Sequence, residues 1–337
     1  MINLNVNYLG LNLKNPIIVG ASNLVTDLKI LKELETAGAS AIVYKSLFEE
    51  QIQLEELEFD LEMEEYSERH AEMISLFPDI AHAGPQEHLL NLKKAKDSIN
   101  IPIIASLNCT FNDTWIEYAK KLEEAGADAL ELNFFWVPSD FNKESAEIEN
   151  EQIAVLKEIL KAVKLPVSVK ISPFYTNPLG LIKKMDKEGV KGFVLFNKLF
   201  QPDINTDTRE MSFPYNLSDP DDNRLTIRFA GLLYENINAA ICCNSGIYTG
   251  NDVVKTILAG ADCVQVVSTV YKHKPAYIAK MLDDIQSWMN DKNYHSLSDF
   301  RGKMSKNNIK DPYAYKRAQY IDILMKSNTI FKKYPVL

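Results

Sequence analysis

Polar side chains stand at the ends of several short apolar runs in this 337-residue sequence. A lysine at the end of a buried strand is unfavourable without an anionic partner, because its charge loses the stabilisation that water provides. Either lysine alone could reach solvent or pair with an acid, but two lysines together with several asparagines favour a polar ligand. In chain order, the run-end residues are Gly20-Ala21-Ser22, Lys45-Ser46, Ser106-Leu107-Asn108, Asn133, Lys170-Ile171-Ser172, Asn197, Asn244-Ser245-Gly246 and Val267-Ser268.

Two interleaved series of apolar runs predict the strands that would hold these residues. In the first series a glycine ends a helical pattern and a β-compatible run follows it, whereas three of the four runs in the second series begin with proline. The glycines are Gly38, Gly126, Gly189 and Gly260, and the second series starts at positions 16, 102, 166 and 238. The spacings of the two series agree to within two residues, so we predict eight strands, each followed by a helix.

Eight such units predict one α/β domain over residues 1–337, a (β/α)8 TIM barrel. A doubly wound open sheet is the structural alternative, although it needs neither eight units nor so regular an alternation. Residues 3–14, with Gly10 at the turn, are expected to form a hairpin that caps the bottom of the barrel. Beyond the barrel, helices are expected over residues 278–289 and 311–326.

Two long segments interrupt the regular alternation. Residues 48–84 follow strand 2, and within them residues 49–68 contain ten acidic side chains and no Lys or Arg. The leucines of this segment have helical spacing, which fits a solvated helix face or, alternatively, a lid or partner surface beside the active site. Residues 198–224, after strand 6, are rich in Pro, Asp and Asn and could form a lid or an ordinary surface loop.

The loops after strands 7 and 8 predict a phosphate site. Asn244-Ser245-Gly246 precedes a helix that begins near Thr249, and Val267-Ser268 precedes a short helical turn. In barrels of this kind, backbone N–H groups of these loops commonly hold phosphate, although two tight turns without a ligand would look similar. Neither a GxGxxG motif nor a P-loop occurs, which favours a compact cofactor or sugar phosphate over a dinucleotide or nucleoside triphosphate.

Composition narrows the class of protein. The formal charge of −9 argues against a nucleic-acid partner, and no apolar run is long enough to span a bilayer. The N-terminus has no signal-peptide pattern. The four cysteines, Cys109, Cys242, Cys243 and Cys263, form neither a disulfide framework nor a metal-binding pattern. We therefore expect a cytoplasmic enzyme with no metal and no membrane association.

The order of the strand-end motifs resembles the FMN-dependent dihydroorotate dehydrogenase family. The resemblance runs over residues 15–274, nearly the whole barrel. The matching stretches are Asn15-Pro16-Ile17-Ile18-Val19-Gly20-Ala21-Ser22, Lys45-Ser46, Glu131-Leu132-Asn133, Val169-Lys170-Ile171-Ser172-Pro173, Phe196-Asn197, Ser245-Gly246-Ile247 and Leu258-Ala259-Gly260-Ala261-Asp262.

The resemblance implies one FMN at the barrel mouth. Lys45, Asn133 and Asn197 would bind the substrate, a small molecule such as dihydroorotate or a relative. Lys170 would lie near the pyrimidine side of the isoalloxazine, where a cation stabilises the anionic reduced flavin. The cofactor-binding residues that the resemblance implies are Ala21, Lys45, Ser46, Asn133, Lys170, Ser245, Gly246, Val267 and Ser268.

The loop after strand 4 departs from the family pattern. Family members carry a Cys or Ser base just before a proline, and the base removes a proton while hydride passes to the flavin. Here Trp136 or Val137 stands at that place. Ser139 is the nearest hydroxyl and is our candidate base beside Lys45, with Cys109 as another candidate. The family's substrate loop after strand 2 is replaced by the acidic segment, so flavin binding carries over better than dihydroorotate oxidation.

The missing N-terminal hydrophobic helix and cysteine clusters favour the family's soluble, fumarate-using branch, whose members are homodimers. The resemblance thus implies a dehydrogenase of pyrimidine biosynthesis with a soluble electron acceptor such as fumarate. Two other hypotheses stay open. One is a phosphate-binding barrel lyase or isomerase with Lys170 as its key lysine, and the other is a flavin-binding barrel that has lost catalysis.

Overall fold

The computed structural model describes residues 2–54, 84–109, 112–135, 137, 140–198, 201–214 and 217–326. The strands are β1 (Val6–Tyr8), β2 (Leu11–Leu13), β3 (Ile17–Val19), β4 (Ala41–Val43), β5 (Leu47–Phe48), β6 (Ile103–Asn108), β7 (Ala129–Asn133), β8 (Val167–Ile171), β9 (Gly192–Leu195), β10 (Asp203–Asn205), β11 (Glu210–Ser212), β12 (Ala240–Cys243) and β13 (Cys263–Val266). The helices are α1 (Leu28–Thr36), α2 (Pro85–Ser98), α3 (Asn112–Glu124), α4 (Ser145–Ala162), α5 (Pro178–Lys187), α6 (Asn223–Leu233), α7 (Gly250–Ala259), α8 (Ser268–His273), α9 (Tyr277–Asp291) and α10 (Ala318–Met325). Short 3-10 turns cover Asn23–Thr26, Pro220–Asp222, Leu297–Asp299 and Pro312–Tyr315.

Eight parallel strands close into a barrel. Their order is β4, β3, β13, β12, β9, β8, β7 and β6, and the pairing of β6 with β4 completes the circle. Among the described residues, the short strand β5 pairs with β6, at the carboxyl end of β6. The predicted (β/α)8 barrel is confirmed, and each of the eight predicted strands has its counterpart. Because all eight strands are parallel, their carboxyl ends meet at one mouth.

Alternation along the strands separates two apolar cores. Side chains that point outward, such as Ile17 and Leu130, pack against the surrounding helices. Side chains that point inward are smaller and form a second cluster inside the barrel. This pattern is typical of parallel strands buried on both faces. The inward cluster contains Ile18, Ala41, Val43, Ile104, Ala129, Val194, Cys242 and Cys263.

The predicted N-terminal hairpin closes the bottom of the barrel. Strands β1 and β2 pair antiparallel, and the turn between them places Leu9 and Gly10 at positive φ, of 57° and 78°. Tyr8, Leu9 and Leu13 are buried in the same cluster as the inward side chains of the barrel. The hairpin is therefore an apolar plug that seals the end opposite the mouth.

The helix-ending glycines take the left-handed conformation that their positions predict. Gly38, Gly126, Gly189 and Gly260 have φ of 106°, 93°, 102° and 131°. A side chain at such φ is strained, so glycine ends each of these helices at least cost and turns the chain into the following strand.

The C-terminal expectation is confirmed for one helix and wrong in part for the other. Helix α9 spans residues 278–289 and buries Ile278, Met281, Ile285 and Met289, which share one face. Residues 311–326 do not form one helix. Pro312 opens a 3-10 turn, and Lys316 then takes an extended conformation, with φ −98° and ψ 159°, before α10 begins.

The two interruptions are described only in part. Residues 49–54 are helical, and residues 55–83 lie outside the described residues, so the role of the acidic segment stays a prediction. Within residues 198–224, strands β10 and β11 form an antiparallel hairpin with exposed Ile204 and Met211. No helix of the described residues is long and apolar enough to cross a membrane.

We predict that Gly192→Ala destabilises the hairpin plug. A Cβ atom at this position of β9 would lie 2.8 Å from Leu9 Cδ2 and 2.9 Å from Tyr8 Cε2, and overpacking of this kind typically costs about 1–3 kcal/mol. Urea unfolding of the variant measures the loss. Adding Leu9→Ala makes room, so the double variant should be less destabilised than the sum of the two single changes. If the losses of unfolding free energy of the two single variants simply add up in the double variant, the contact between residue 192 and Leu9 is not the cause of the destabilisation.

Candidate active site

A cavity of about 560 Å³ lies at the carboxyl ends of the barrel strands. Its volume is within the usual range for small-molecule sites. Seven of the eight barrel strands and the loops that follow them contribute its wall. The described residues that line it are Ala21, Ser46, Phe48, Asn133, Phe135, Lys170, Asn197, Lys198, Leu217, Ser218, Asn244, Ser245, Gly246, Ile247, Gln265, Val266, Val267, Ser268 and Thr269.

The structure brings nine of the sequence-predicted site residues together around this cavity. They are Ala21, Ser46, Asn133, Lys170, Asn197, Ser245, Gly246, Val267 and Ser268. Lys45 is not among the described residues that line it, and Ser139 lies outside the described residues. The convergence is therefore a finding, while the function of each residue stays a prediction.

Lys45 stands two residues after the end of β4. It is half-buried, and its charge acts on His88 of helix α2. The His88 ring is buried and meets the Tyr44 ring edge-on, with 5.5 Å between the centroids. Burial, together with the nearby Lys45 ammonium, lowers the pKa of His88 to about 4. His88 is thus a neutral packing residue beside the lysine at neutral pH.

The loop after β12 has a conformation that suits an anion. Ser245 and Gly246 both take positive φ, of 62° and 68°. A Cβ atom on Gly246 would come within 2.5 Å of the backbone nitrogen of Asn223, so only glycine fits. Thr249 then caps helix α7, accepting a hydrogen bond from the Asp252 N–H. Turn conformations ahead of a capped helix can offer backbone N–H groups to an anion, and negative charge is favoured near a helix N-terminus.

The second side of this end comes from the loop after β13. The Oγ of Ser268, at the start of α8, accepts hydrogen bonds from the backbone N–H and the hydroxyl of Ser218, both at 2.9 Å. Tyr248 donates its hydroxyl to the Ser218 carbonyl. These bonds fix the Ser268 hydroxyl, which still has its own proton to donate to a ligand.

Several buried acceptor atoms beside the cavity have no hydrogen-bond partner among the described residues. They include Asn133 Oδ1, Asn244 Oδ1 and Gln265 Oε1, on three residues that line the cavity. Because buried polar atoms in folded proteins are nearly always hydrogen-bonded, three such atoms around one cavity indicate a bound molecule that offers N–H or O–H groups.

A buried ionic layer lies beneath the cavity. Glu131, only 1% exposed, accepts a hydrogen bond from Gln265 Nε2 at 2.5 Å. The ammonium nitrogen of Lys170 lies 3.9 Å from the other carboxylate oxygen. Burial raises the pKa of Glu131, and Lys170 and Gln265 partly oppose that shift. The cavity floor therefore carries a cation backed by a buried carboxyl group.

Comparison with known protein families agrees with this geometry. The family model described as dihydroorotate dehydrogenase matches residues 77–289. The chain belongs to the dihydroorotate dehydrogenase family. It is a dihydroorotate dehydrogenase-like oxidoreductase, an enzyme that acts on CH–CH groups. Members of this family are generally flavin-dependent.

Relatives of two kinds resemble the chain. The catalytic subunit of dihydroorotate dehydrogenase B (NAD(+)) from Methanocaldococcus jannaschii is 26% identical over 304 residues, 86% of this chain and 94% of that protein. The protein of the same name from Thermoplasma acidophilum is 24% identical over 90% of this chain and 99% of its own. Dihydroorotate dehydrogenase A (fumarate) from Lactobacillus delbrueckii subsp. bulgaricus is 30% identical over 53% of this chain and 60% of its own. Because both kinds match, the fumarate-using branch stays a prediction.

In this member of the dihydroorotate dehydrogenase family, two phenylalanines begin the loop after β7, which is the fourth barrel strand in chain order. Phe134 is buried and meets Trp115 edge-on at 5.3 Å, while Phe135 lines the cavity. Cys109 is not among the described cavity-lining residues, and burial, with Glu49 and Glu50 nearby, raises the pKa of its thiol. A thiol held in its neutral form is a poor proton acceptor, which argues against Cys109 as the base.

Three residues of the family site were missed by the sequence reasoning. Glu131 stands two positions before the mouth residue Asn133, and Gln265 stands two positions before Val267. Because residues two apart on a strand face the same side, alternation alone could have predicted that both side chains point into the barrel. Lys198 lines the cavity and bonds to Asp222 at 2.9 Å and to the Leu217 carbonyl at 3.1 Å. Lys198 directly follows the predicted site residue Asn197, but nothing in the sequence of its Pro- and Asp-rich loop indicated that it would line the cavity.

We predict that His88 makes stability fall in mildly acidic solution. Its folded-state pKa of about 4 lies below the ordinary 6.5, so the unfolded chain binds the proton first and stability is lost as pH falls from about 6.5 towards 4. A shift of this size corresponds to about 3 kcal/mol. Urea unfolding at about pH 7 and about pH 5 measures the loss.

The matched variants are His88→Gln and, at an exposed site, His295→Gln. The first should remove much of the difference between the two pH values, and the second should leave it in place. If His88→Gln keeps the full wild-type pH dependence, another group is responsible.

Proposed function

We propose that the cavity binds FMN and that the enzyme is a dehydrogenase acting on dihydroorotate or a related small planar substrate, in pyrimidine biosynthesis. The observation that carries this proposal is the shape of the mouth. One end has loops suited to a phosphate, and the other has Lys170 together with unpartnered acceptor oxygens on Asn133 and Gln265. A phosphorylated ring with N–H groups on its edge fits both ends.

The residues present fit FMN at each part of the molecule. Ser245, Gly246, Val267 and Ser268 would hold the phosphate, because the two loops offer backbone N–H groups and a fixed hydroxyl. Ala21 and Ser46 would lie along the ring, Ser46 with its hydroxyl 2.6 Å from that of Ser106. The remaining lining residues that would contact the isoalloxazine are Asn133, Lys170 and Gln265.

When bound, FMN supplies the hydride acceptor that the protein itself lacks. The chain's contribution is to bind, orient and stabilise charge. Lys170, whose side chain is 16% exposed, would place its ammonium against the ring edge that gains negative charge on reduction. Burial on the cavity floor keeps that ammonium away from bulk water, which strengthens its effect.

Substrate binding would use the two asparagines at the ends of β7 and β9. The Asn197 amide donates to the Phe134 carbonyl at 3.2 Å and to the Lys170 carbonyl at 3.4 Å, which fixes its orientation. Its side-chain oxygen is then the group available to a substrate N–H. Asn133 would present a second oxygen to the same ligand. Ser139 is proposed as the proton acceptor, and Lys45 as a further substrate-binding residue beyond the end of β4.

The electron acceptor is proposed to be a soluble molecule such as fumarate, used by a cytoplasmic homodimer. The relatives named for NAD(+) are catalytic subunits, so an acceptor reached through a second subunit is the alternative. The aromatic strand-4 loop favours one further possibility, a flavin-binding barrel that does not oxidise dihydroorotate. The bleaching experiment below distinguishes this last possibility from a dihydroorotate dehydrogenase.

We predict that the purified protein carries FMN and that Ser268→Ala weakens its binding about tenfold, the loss of one charge-assisted hydrogen bond. Fluorescence titration of the apoprotein with FMN measures the dissociation constant. Ser172→Ala is the matched control, because Ser172 is a buried strand-end serine that does not line the cavity. Equal affinities of the two variants would contradict the phosphate assignment, and the absence of any flavin binding would overturn the proposed function.

We expect dihydroorotate to bleach the bound flavin in an anaerobic titration. Reduction without any other donor shows that the site performs the half-reaction itself. Ser139→Ala should slow this bleaching at least tenfold if the hydroxyl accepts the proton, since general-base catalysis contributes on that scale or more. If dithionite reduces the bound flavin but dihydroorotate does not, the proposal of FMN binding stands and dihydroorotate is rejected as the substrate.

A further inference from the structure

The buried carboxylate beneath the cavity carries an inference that goes beyond flavin binding. Glu131 does not line the cavity among the described residues, so it is placed to act on a ligand through its neighbours. It stands on β7 two residues before Asn133, and both side chains point inward. From the opposite wall of the barrel, Gln265 of β13 reaches across to it. We call Glu131, Gln265 and Lys170 the buried ionic network.

Glu131 determines how the Gln265 amide is oriented. Gln265 Nε2 donates a hydrogen bond to Glu131 Oε2 at 2.5 Å, so the Gln265 NH2 group faces the carboxyl group. The Gln265 carbonyl oxygen is consequently turned away, and it is a buried atom with no hydrogen-bond partner among the described residues. The Gln265 amide could present either its NH2 group or its oxygen to the cavity, and the hydrogen bond to Glu131 fixes it with the acceptor oxygen on the cavity side.

Glu131 also compensates the charge of Lys170. The ammonium nitrogen and Glu131 Oε1 are 3.9 Å apart, and both side chains are largely removed from water. In the part of the chain that the structure describes, Glu131 is the acid paired with this lysine. Because the pair lies in a region of low dielectric constant, the charge that Lys170 presents to the cavity depends strongly on the carboxylate behind it.

We propose that Glu131 is a positioning residue that holds Lys170 and Gln265 at the ring edge of the flavin and lowers the reduction potential of the bound flavin by compensating the lysine charge. This rests on the proposed function, since it requires FMN in the cavity. Two-electron reduction with uptake of one proton leaves the ring with one additional negative charge. A lysine whose charge is compensated stabilises that anion less than an uncompensated one, so the oxidised form is favoured.

The test is the midpoint potential of the bound flavin in Glu131→Gln, measured anaerobically by equilibration with a reference dye. Removing the carboxylate charge should raise the affinity for reduced FMN relative to oxidised FMN about tenfold, an upward shift of about 30 mV for a two-electron couple. Ser168→Ala is the matched control. Ser168 is buried in the same inward layer and donates a hydrogen bond to the Leu130 carbonyl at 3.1 Å. Because this serine carries no charge, the flavin in Ser168→Ala should keep the wild-type midpoint potential.

A second variant keeps the test decisive if Glu131→Gln does not fold. Glu131→Asp retains the charge and withdraws it from Lys170 by one methylene, so its potential should rise by a smaller amount. A double-mutant cycle with Lys170→Met then shows whether the carboxylate acts through the lysine. In that background the effect of Glu131→Gln should fall to less than half.

The outcomes distinguish this inference from the proposed function. A wild-type protein that binds no FMN would remove both. A flavin-loaded protein whose potential is unchanged in Glu131→Gln and Glu131→Asp would overturn the inference and leave FMN binding in place. A shift of the same size with and without Lys170 would show direct action on the flavin and would equally overturn the positioning role.

Discussion

Closure of eight parallel strands is the constraint on which this structure depends. Each strand must turn every second side chain inward, and the closed circle leaves space for only a few side chains at each level. At the lower levels the space is filled by small and branched apolar groups and by the hairpin residues Tyr8 and Leu9. At the upper levels the same geometry turns Glu131, Lys170 and Gln265 towards one another.

The polar upper level is unfavourable for folding on its own account. Burying Glu131 and Lys170 removes two charged groups from water, and their attraction repays that loss only when the remaining hydrogen bonds are made. Several of them are missing among the described residues, since acceptor atoms of Glu131, Asn133 and Gln265 have no partner. A bound ligand would complete the set, so ligand binding and stability should be linked in this enzyme.

The sequence predicted the barrel because its signal is repeated eight times. The spacing of the strands, the helix-ending glycines and the polar strand ends each followed from period and position, and nine of the predicted site residues meet at one cavity. The prediction failed where a single local event decides. Lys316 breaks the expected C-terminal helix by taking an extended conformation, which the helical spacing of the sequence does not encode.

The hairpin plug limits the direction from which ligands can enter the barrel. With Tyr8 and Leu9 sealing one end, small molecules that donate or accept electrons inside the cavity must enter from the opposite end. A larger space of about 880 Å³ adjoins the cavity there and shares Asn197, Lys198, Leu217, Asn244 and Ser245 with it. If donor and acceptor are both small molecules, they must either take turns at one opening or enter side by side, and the choice between them sets the kinetic order of the two half-reactions.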